Sequence, residues 1–106
     1  MKHNAFFGDG EKTFALTDPM IAELERLTGS GIGAFYQRVI RMDFRLADLV
    51  EVIRLGLIGA EMHPEQAATL TNTYARNRPI AEIFPLAIDI LECRWTGTST
   101  DEGSQQ

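Results

Sequence analysis

The chain has 106 residues, of which 44% are hydrophobic and 24% charged, values that suit one globular domain without room for a second core. Its formal charge of −5 disfavours an extended contact with the phosphates of nucleic acid. Apolar stretches fall far short of the roughly 20 residues that span a bilayer, and the N-terminus lacks a signal peptide's apolar core. With a single cysteine, Cys93, and therefore no internal disulfide, the sequence predicts a cytoplasmic protein without membrane contact.

The first predicted element is a β-hairpin over residues 4–17. Short apolar runs at 5–7 and 13–16 flank Gly8-Asp9-Gly10, which has turn chemistry. Because an isolated hairpin is marginally stable in water, we expect this one to pack on helices.

Two helices are predicted next, separated by a glycine-containing turn. Asp18 is a candidate N-cap of the first helix, Pro19 suits its first position, and Gly29 is placed to end it in a left-handed conformation. The second helix follows Ser30-Gly31 and carries a regular apolar stripe: Ile32, Phe35, Tyr36, Val39 and Ile40.

Three further helices complete the pattern. A connection at residues 42–44 leads to the third, which is expected to end near Gly56–Gly59 because two glycines so close disfavour a long continuation. His63-Pro64-Glu65 opens the fourth, with the proline at its first position. The fifth begins after Pro79 and ends at Gly97, and Pro85 inside it is expected to bend it.

These elements predict an α+β, mainly α fold, in which an N-terminal β-hairpin and about five short helices form one compact domain over residues 1–97. Residues 98–106 are small and polar and cannot bury enough surface to offset the entropy lost on ordering, so we predict a disordered tail there. The predicted core contains Leu24, Phe35, Val39, Leu49, Ile53, Leu70 and Ile83.

The residues that could support catalysis or metal binding are few. His3 lies in a terminus expected to fray, His63 is explained by helix capping, and Cys93 is explained as an apolar filler. Gly29–Gly33 resembles a phosphate-binding loop but lacks the Lys-Ser/Thr ending and follows no strand. The sequence therefore predicts no catalytic residue, no cofactor and no metal, and a protein that is not an enzyme.

Arg38, Arg41 and Arg45 form the one basic cluster of the sequence. A solvated or partner-facing helix edge explains them better than a DNA contact, because no basic stripe extends from them.

Several segments together resemble a known family. They are GEKTFALT (10–17), IAELE (21–25), VIRLGLIG (52–59), EQA (65–67), NRPI (77–80) and PLA (85–87). In this order and spacing they resemble the small gene transfer agent family protein encoded among tail genes of phage-like particles in alphaproteobacteria. That family is grouped with phage tail assembly chaperones and has also been labelled a tail tube protein. The resemblance covers about residues 5–97, and the run from Ile53 to Gly59 is its most specific part.

The resemblance implies a non-enzymatic role in building a phage-like tail, with other proteins as partners. It favours a chaperone or adaptor that binds the tape measure protein, or the tail tube protein, during tail morphogenesis. Two alternatives stay open: a structural tail component, either a tail tube or a minor tail protein, and a small DNA-binding regulator. Tube subunits are usually rich in strands, and only two strands can be read here.

Three large aromatic residues near the ends of the domain are the candidate partner contacts: Phe6, Phe7 and Trp95. The alternative is that all three pack the hairpin onto the last helix.

Overall fold

The computed structural model describes residues 1–98, which form an N-terminal hairpin followed by five helices. The elements are β1 (His3–Phe7), β2 (Gly10–Phe14), α1 (Asp18–Thr28), α2 (Ile32–Ile40), α3 (Leu46–Gly59), α4 (Pro64–Tyr74) and α5 (Ile80–Thr96). The predicted fold class is confirmed. The tail predicted for residues 98–106 lies, apart from Thr98, outside the described residues.

The hairpin is closed by a two-residue turn, Gly8-Asp9, between the paired residues Phe7 and Gly10. Gly8 has a φ of 70°. A Cβ on Gly8 would lie 2.6 Å from Cδ2 of Tyr74, so both the backbone conformation and the packing require glycine. The short turn explains why the second strand starts at Gly10, earlier than the apolar run suggested.

Helix α1 and its N-cap both begin one residue earlier than the sequence indicated. Thr17 is the N-cap residue, and Asp18 and Pro19 are the first two helical residues, so the prediction of Asp18 as the N-cap is wrong. The Asp18 carboxylate instead accepts a hydrogen bond from Nη2 of Arg94 at 2.7 Å. Arg94 also donates to the carbonyl of Leu16 at 2.7 Å and so ties the end of α5 to the linker before α1.

Three other predicted helix boundaries are confirmed. Gly29 and Gly97 follow α1 and α5 with φ values of 74° and 81°. His63 caps α4, its Nδ1 accepting from the amide of Glu65 at 3.3 Å. Helix α5 continues through Pro85, which lies in its second turn.

Helix α3 is the centre of the fold and packs against α1, α4, α5 and β2. Its glycines permit a close approach of the linker after β2, since Ala15 donates its amide to the carbonyl of Gly56 at 2.9 Å. A Cβ on Gly59 would lie 1.8 Å from the Ala15 carbonyl oxygen. The run from Ile53 to Gly59 is thus a packing motif that joins the hairpin to the helices.

All seven predicted core residues are buried, which confirms the helix phases. Among residues 1–98, no helix combines the length and the apolar character needed to cross a membrane.

Candidate protein-contact site

The side chains suited to acid–base or metal chemistry are dispersed or used in packing. Within residues 1–98, no three His, Cys, Asp or Glu side chains are grouped so that they could hold a metal ion. His3 is buried in β1, with Nε2 3.9 Å from Oδ2 of Asp89, so the expectation of a frayed position is wrong. Cys93 is buried, and its thiol donates to the carbonyl of Thr98 at 2.7 Å.

The three aromatic residues selected from the sequence occupy different environments. Phe6 and Trp95 are exposed, by 71% and 58%, whereas Phe7 is only 6% exposed. The Phe7 ring packs edge-on against Phe14 and Tyr74, with centroids 6.2 Å apart in both pairs, and therefore belongs to the core. Phe6 lies on the hairpin and Trp95 near the end of α5, so they belong to two separate surfaces.

Trp95 forms part of an apolar surface shared by α2 and α5, which we call the α2–α5 band. Its exposed members are Ile40, Met42, Ile80 and Trp95; Phe44, Phe84 and Ile88 are partly buried, and Tyr36 is buried beneath Trp95. Tyr36 and Trp95 stack with centroids 4.8 Å apart and an interplanar angle of 27°. Phe44 and Phe84 stack at 5.5 Å and 21°. The two pairs join α2 and the loop after it to α5.

Helical spacing explains why these side chains share one face. On α5, Ile80, Phe84 and Ile88 are four residues apart, and Trp95 lies two turns beyond Ile88. On α2, Ile40 follows Tyr36 by one turn. The stripe predicted for α2 is therefore partly core and partly surface.

The exposed margin of the band contains Ile40 and Met42, which are 52% and 63% exposed. Met42 has a φ of 66°, a left-handed conformation that is costly for a residue with a side chain. Its amide donates to the carbonyl of Val39 at 3.0 Å, and that of Asp43 to the carbonyl of Arg38 at 2.7 Å, which together form a Schellman cap. Glycine is usual at such a position, and sequence reasoning did not single out this methionine.

The electrostatics of the band follow from its partial burial. Burial raises the pKa of the Tyr36 hydroxyl above its ordinary value, and the nearby charge of Glu92 adds to the effect. The Tyr36 hydroxyl therefore remains neutral around pH 7 and adds no charge to the apolar surface.

Two members of the basic cluster are held by local contacts. Arg38 donates to the carbonyl of Asp43 at 3.3 Å, and Arg45 lies 3.5 Å from the carboxylate of Asp48. Arg41 is exposed beside the band. The cluster thus borders the apolar surface as a partly engaged helix edge.

The second surface surrounds Phe6. A groove of about 280 Å³ lies between the hairpin and the junction of α4 and α5. Phe6, Tyr74 and Ile83 contribute its apolar lining, and Arg78 donates to Glu82 at 3.2 Å beside it.

Comparison with known proteins gives one result. A family model described as "Phage tail tube protein, GTA-gp10" matches residues 1–97, which is all but one of the residues that the structure describes. No curated protein and no solved structure matches the chain.

Proposed function

The chain belongs to the phage tail tube protein, GTA-gp10 family, and from this membership we propose that it is a non-enzymatic structural component of a phage-like tail. Its partners in this role are other tail proteins, and the α2–α5 band is the surface that contacts them. The family relationship supports the tail role, and the exposed apolar side chains around Trp95 support a role in protein–protein contact.

The band is the observation that carries the proposal. Apolar side chains grouped on one face of a small domain typically mark an interaction surface, whereas scattered ones need no explanation. Trp95 is of a residue type that dominates binding hot spots, and its stacking on the buried Tyr36 limits the entropy that it loses when a partner docks. Arg41 at the margin supplies a charge that can orient the partner without providing most of the affinity.

A second candidate is a chaperone or adaptor that holds the tape measure protein in the cytoplasm before the tube polymerises. The helical fold favours it, because the described residues contain only two strands while tube subunits are usually rich in strands. A chaperone must also release its client, which suits a modest apolar patch better than a large permanent interface.

The test is co-expression with a tail tube protein and a tape measure protein from the same source organism, followed by pull-down at low and high salt. Apolar binding should persist in high salt, because salt screens charge contacts and not apolar ones. Trp95→Ala should weaken the complex by about 30-fold, as expected for a hot spot of about 2 kcal/mol. Trp95→Phe retains an aromatic ring and should lose less. Leu27→Ala alters an exposed residue outside the band and should have no effect.

The composition of purified particles separates the two candidates. A structural component remains in mature tails in fixed proportion to the tube protein, whereas a chaperone is present in assembling cells and missing from particles. No complex at either salt concentration, combined with normal particle assembly in cells lacking this protein, would refute both.

A further inference from the structure

The outer edge of β1 carries backbone groups that the domain does not use. Phe7 and Gly10 close the two-residue turn, so they form a hydrogen-bonded pair of the antiparallel ladder. Alternation along the ladder then turns the N–H and C=O of Asn4 and Phe6 away from β2. No backbone hydrogen bond within residues 1–98 reaches these groups, so β1 presents an open strand edge.

The two edges of the hairpin differ in how they are protected. On β2, Glu11 is exposed, and Lys12 carries a second charge, with its Nζ 2.6 Å from Oδ1 of the exposed Asp9. Charged side chains, lysine above all, are devices that keep edge strands from pairing with other chains. Between Asn4 and Phe7, β1 has no charged residue and no proline. Only β1 therefore has an edge without these obstacles.

The surroundings of β1 define what could lie beside it. Strand β1 runs alongside α5, since Phe7 and Ile83 line one groove at the end of the strand and His3 lies near Asp89 at its start. A strand added to the edge would place alternate side chains over the same flank of α5. There it would meet the groove at one position and the exposed carboxylate of Asp89 at another, since Glu82 lines the groove itself and is paired with Arg78.

We propose that the β1 edge binds an extended segment of another tail protein by strand addition. The segment has an apolar side chain for the groove and a Lys or Arg at an alternate position facing Asp89. Main-chain hydrogen bonds to Asn4 and Phe6 supply affinity, and the groove and Asp89 supply specificity. The choice of a tail protein as partner rests on the proposed function, but the surface is distinct from the α2–α5 band.

Phe6 permits a test with a closely matched pair of variants. Both Phe6→Ala and Phe6→Pro remove the ring, but only Phe6→Pro also removes the outward N–H. Proline is tolerated where a strand's N–H faces outward, because the ladder to β2 loses no hydrogen bond. Peptides tiled across a tail tube protein and a tape measure protein from the same source organism serve as probes for the full chain. The tightest peptide should bind Phe6→Pro about tenfold more weakly than Phe6→Ala.

Amide hydrogen exchange supplies a second measurement that does not depend on the folding of a variant. In the wild-type chain, the bound peptide should slow exchange of the Asn4 and Phe6 amides, which point away from β2. Equal binding by folded Phe6→Ala and Phe6→Pro, or unchanged exchange at both amides, would overturn the proposal. So would a failure of every peptide to bind.

Two further outcomes distinguish strand addition by a tail protein from self-association at the same edge and from binding through the α2–α5 band. If the chain alone is a dimer in which both amides are protected, a second copy occupies the edge and the proposal is wrong. If Trp95→Ala abolishes the complex with an intact tail protein while Phe6→Pro does not, the strand-addition proposal fails and the proposed function stands.

Discussion

Helices α3 and α5 are both rich in apolar residues, yet the fold uses them differently. Eight of the fourteen residues of α3 are buried, against five of the seventeen residues of α5. Helix α3 is surrounded by α1, α4, α5 and β2, whereas α5 packs on α3, β1 and α2 and leaves one flank open. The same residue types therefore serve stability in α3 and are available for contact on α5.

The difference shows that the pattern within a helix does not settle what its apolar residues do. Ile53 on α3 is completely buried, while Ile80 on α5 is about half exposed, because no other element within residues 1–98 covers it. Substitutions matched between the two helices can test this division, with large losses of stability expected from α3 and small ones from α5.

The largest effect is expected from Gly59→Ala at the end of α3. The new methyl group would collide with the Ala15 carbonyl, which is backbone and cannot rotate away, so the linker after β2 must move. We expect destabilisation by about 3 kcal/mol or more, measured by urea denaturation. Gly33→Ala in α2 is the control, because its Cβ would meet no atom within 4 Å. An equal loss in both variants would contradict the close approach at Gly59.

A second contrast is expected between two isoleucines, one buried on α3 and one exposed on α5. Ile53→Ala should cost about 2–5 kcal/mol, since it removes a completely buried side chain from the core. Ile80→Ala removes an exposed side chain and should change the free energy of unfolding by about 0.5 kcal/mol or less. Chemical denaturation of both variants measures the difference. A comparable loss for Ile80 would mean that the band contributes to stability and would weaken its assignment as a contact surface.

The sequence predicted the elements and the core well, because hydrophobic periodicity and helix-capping residues are local signals. The stripe on α2 correctly placed Phe35 and Val39 inside. Asp18 was misassigned because its partner, Arg94, is distant in sequence and becomes adjacent only after folding. The local sequence pattern could not show that the Asp18 carboxylate would bind Arg94 instead of capping α1.

The candidate site was predicted only in part for the same reason. Phe6 and Trp95 are exposed and remain candidate contacts, but Phe7 faces the core, because in a strand neighbouring residues point to opposite sides. Alternation alone shows that Phe6 and Phe7 differ, and their burial depends on which face meets the helices. Met42 carried no sequence signal, since its left-handed conformation arises from the end of α2.

The smallest expected effect is the most specific, and it concerns the residues that end α2 and α3. Met42 and Glu61 both adopt left-handed conformations, with φ values of 66° and 78°, in the same type of helix cap. Replacing either with glycine should stabilise the chain by about 0.5–1 kcal/mol, because the backbone strain is relieved. Thermal denaturation measures this gain.

The two variants should differ in how well they bind the partner in the pull-down, since Met42 lies at the margin of the α2–α5 band and Glu61 follows α3. Met42→Gly should weaken the complex while Glu61→Gly leaves it unchanged. This result would mean that the Met42 side chain contacts the partner, which would account for a methionine in a strained backbone conformation. Equal binding by both variants would remove Met42 from the contact surface and confine the band to its aromatic pairs.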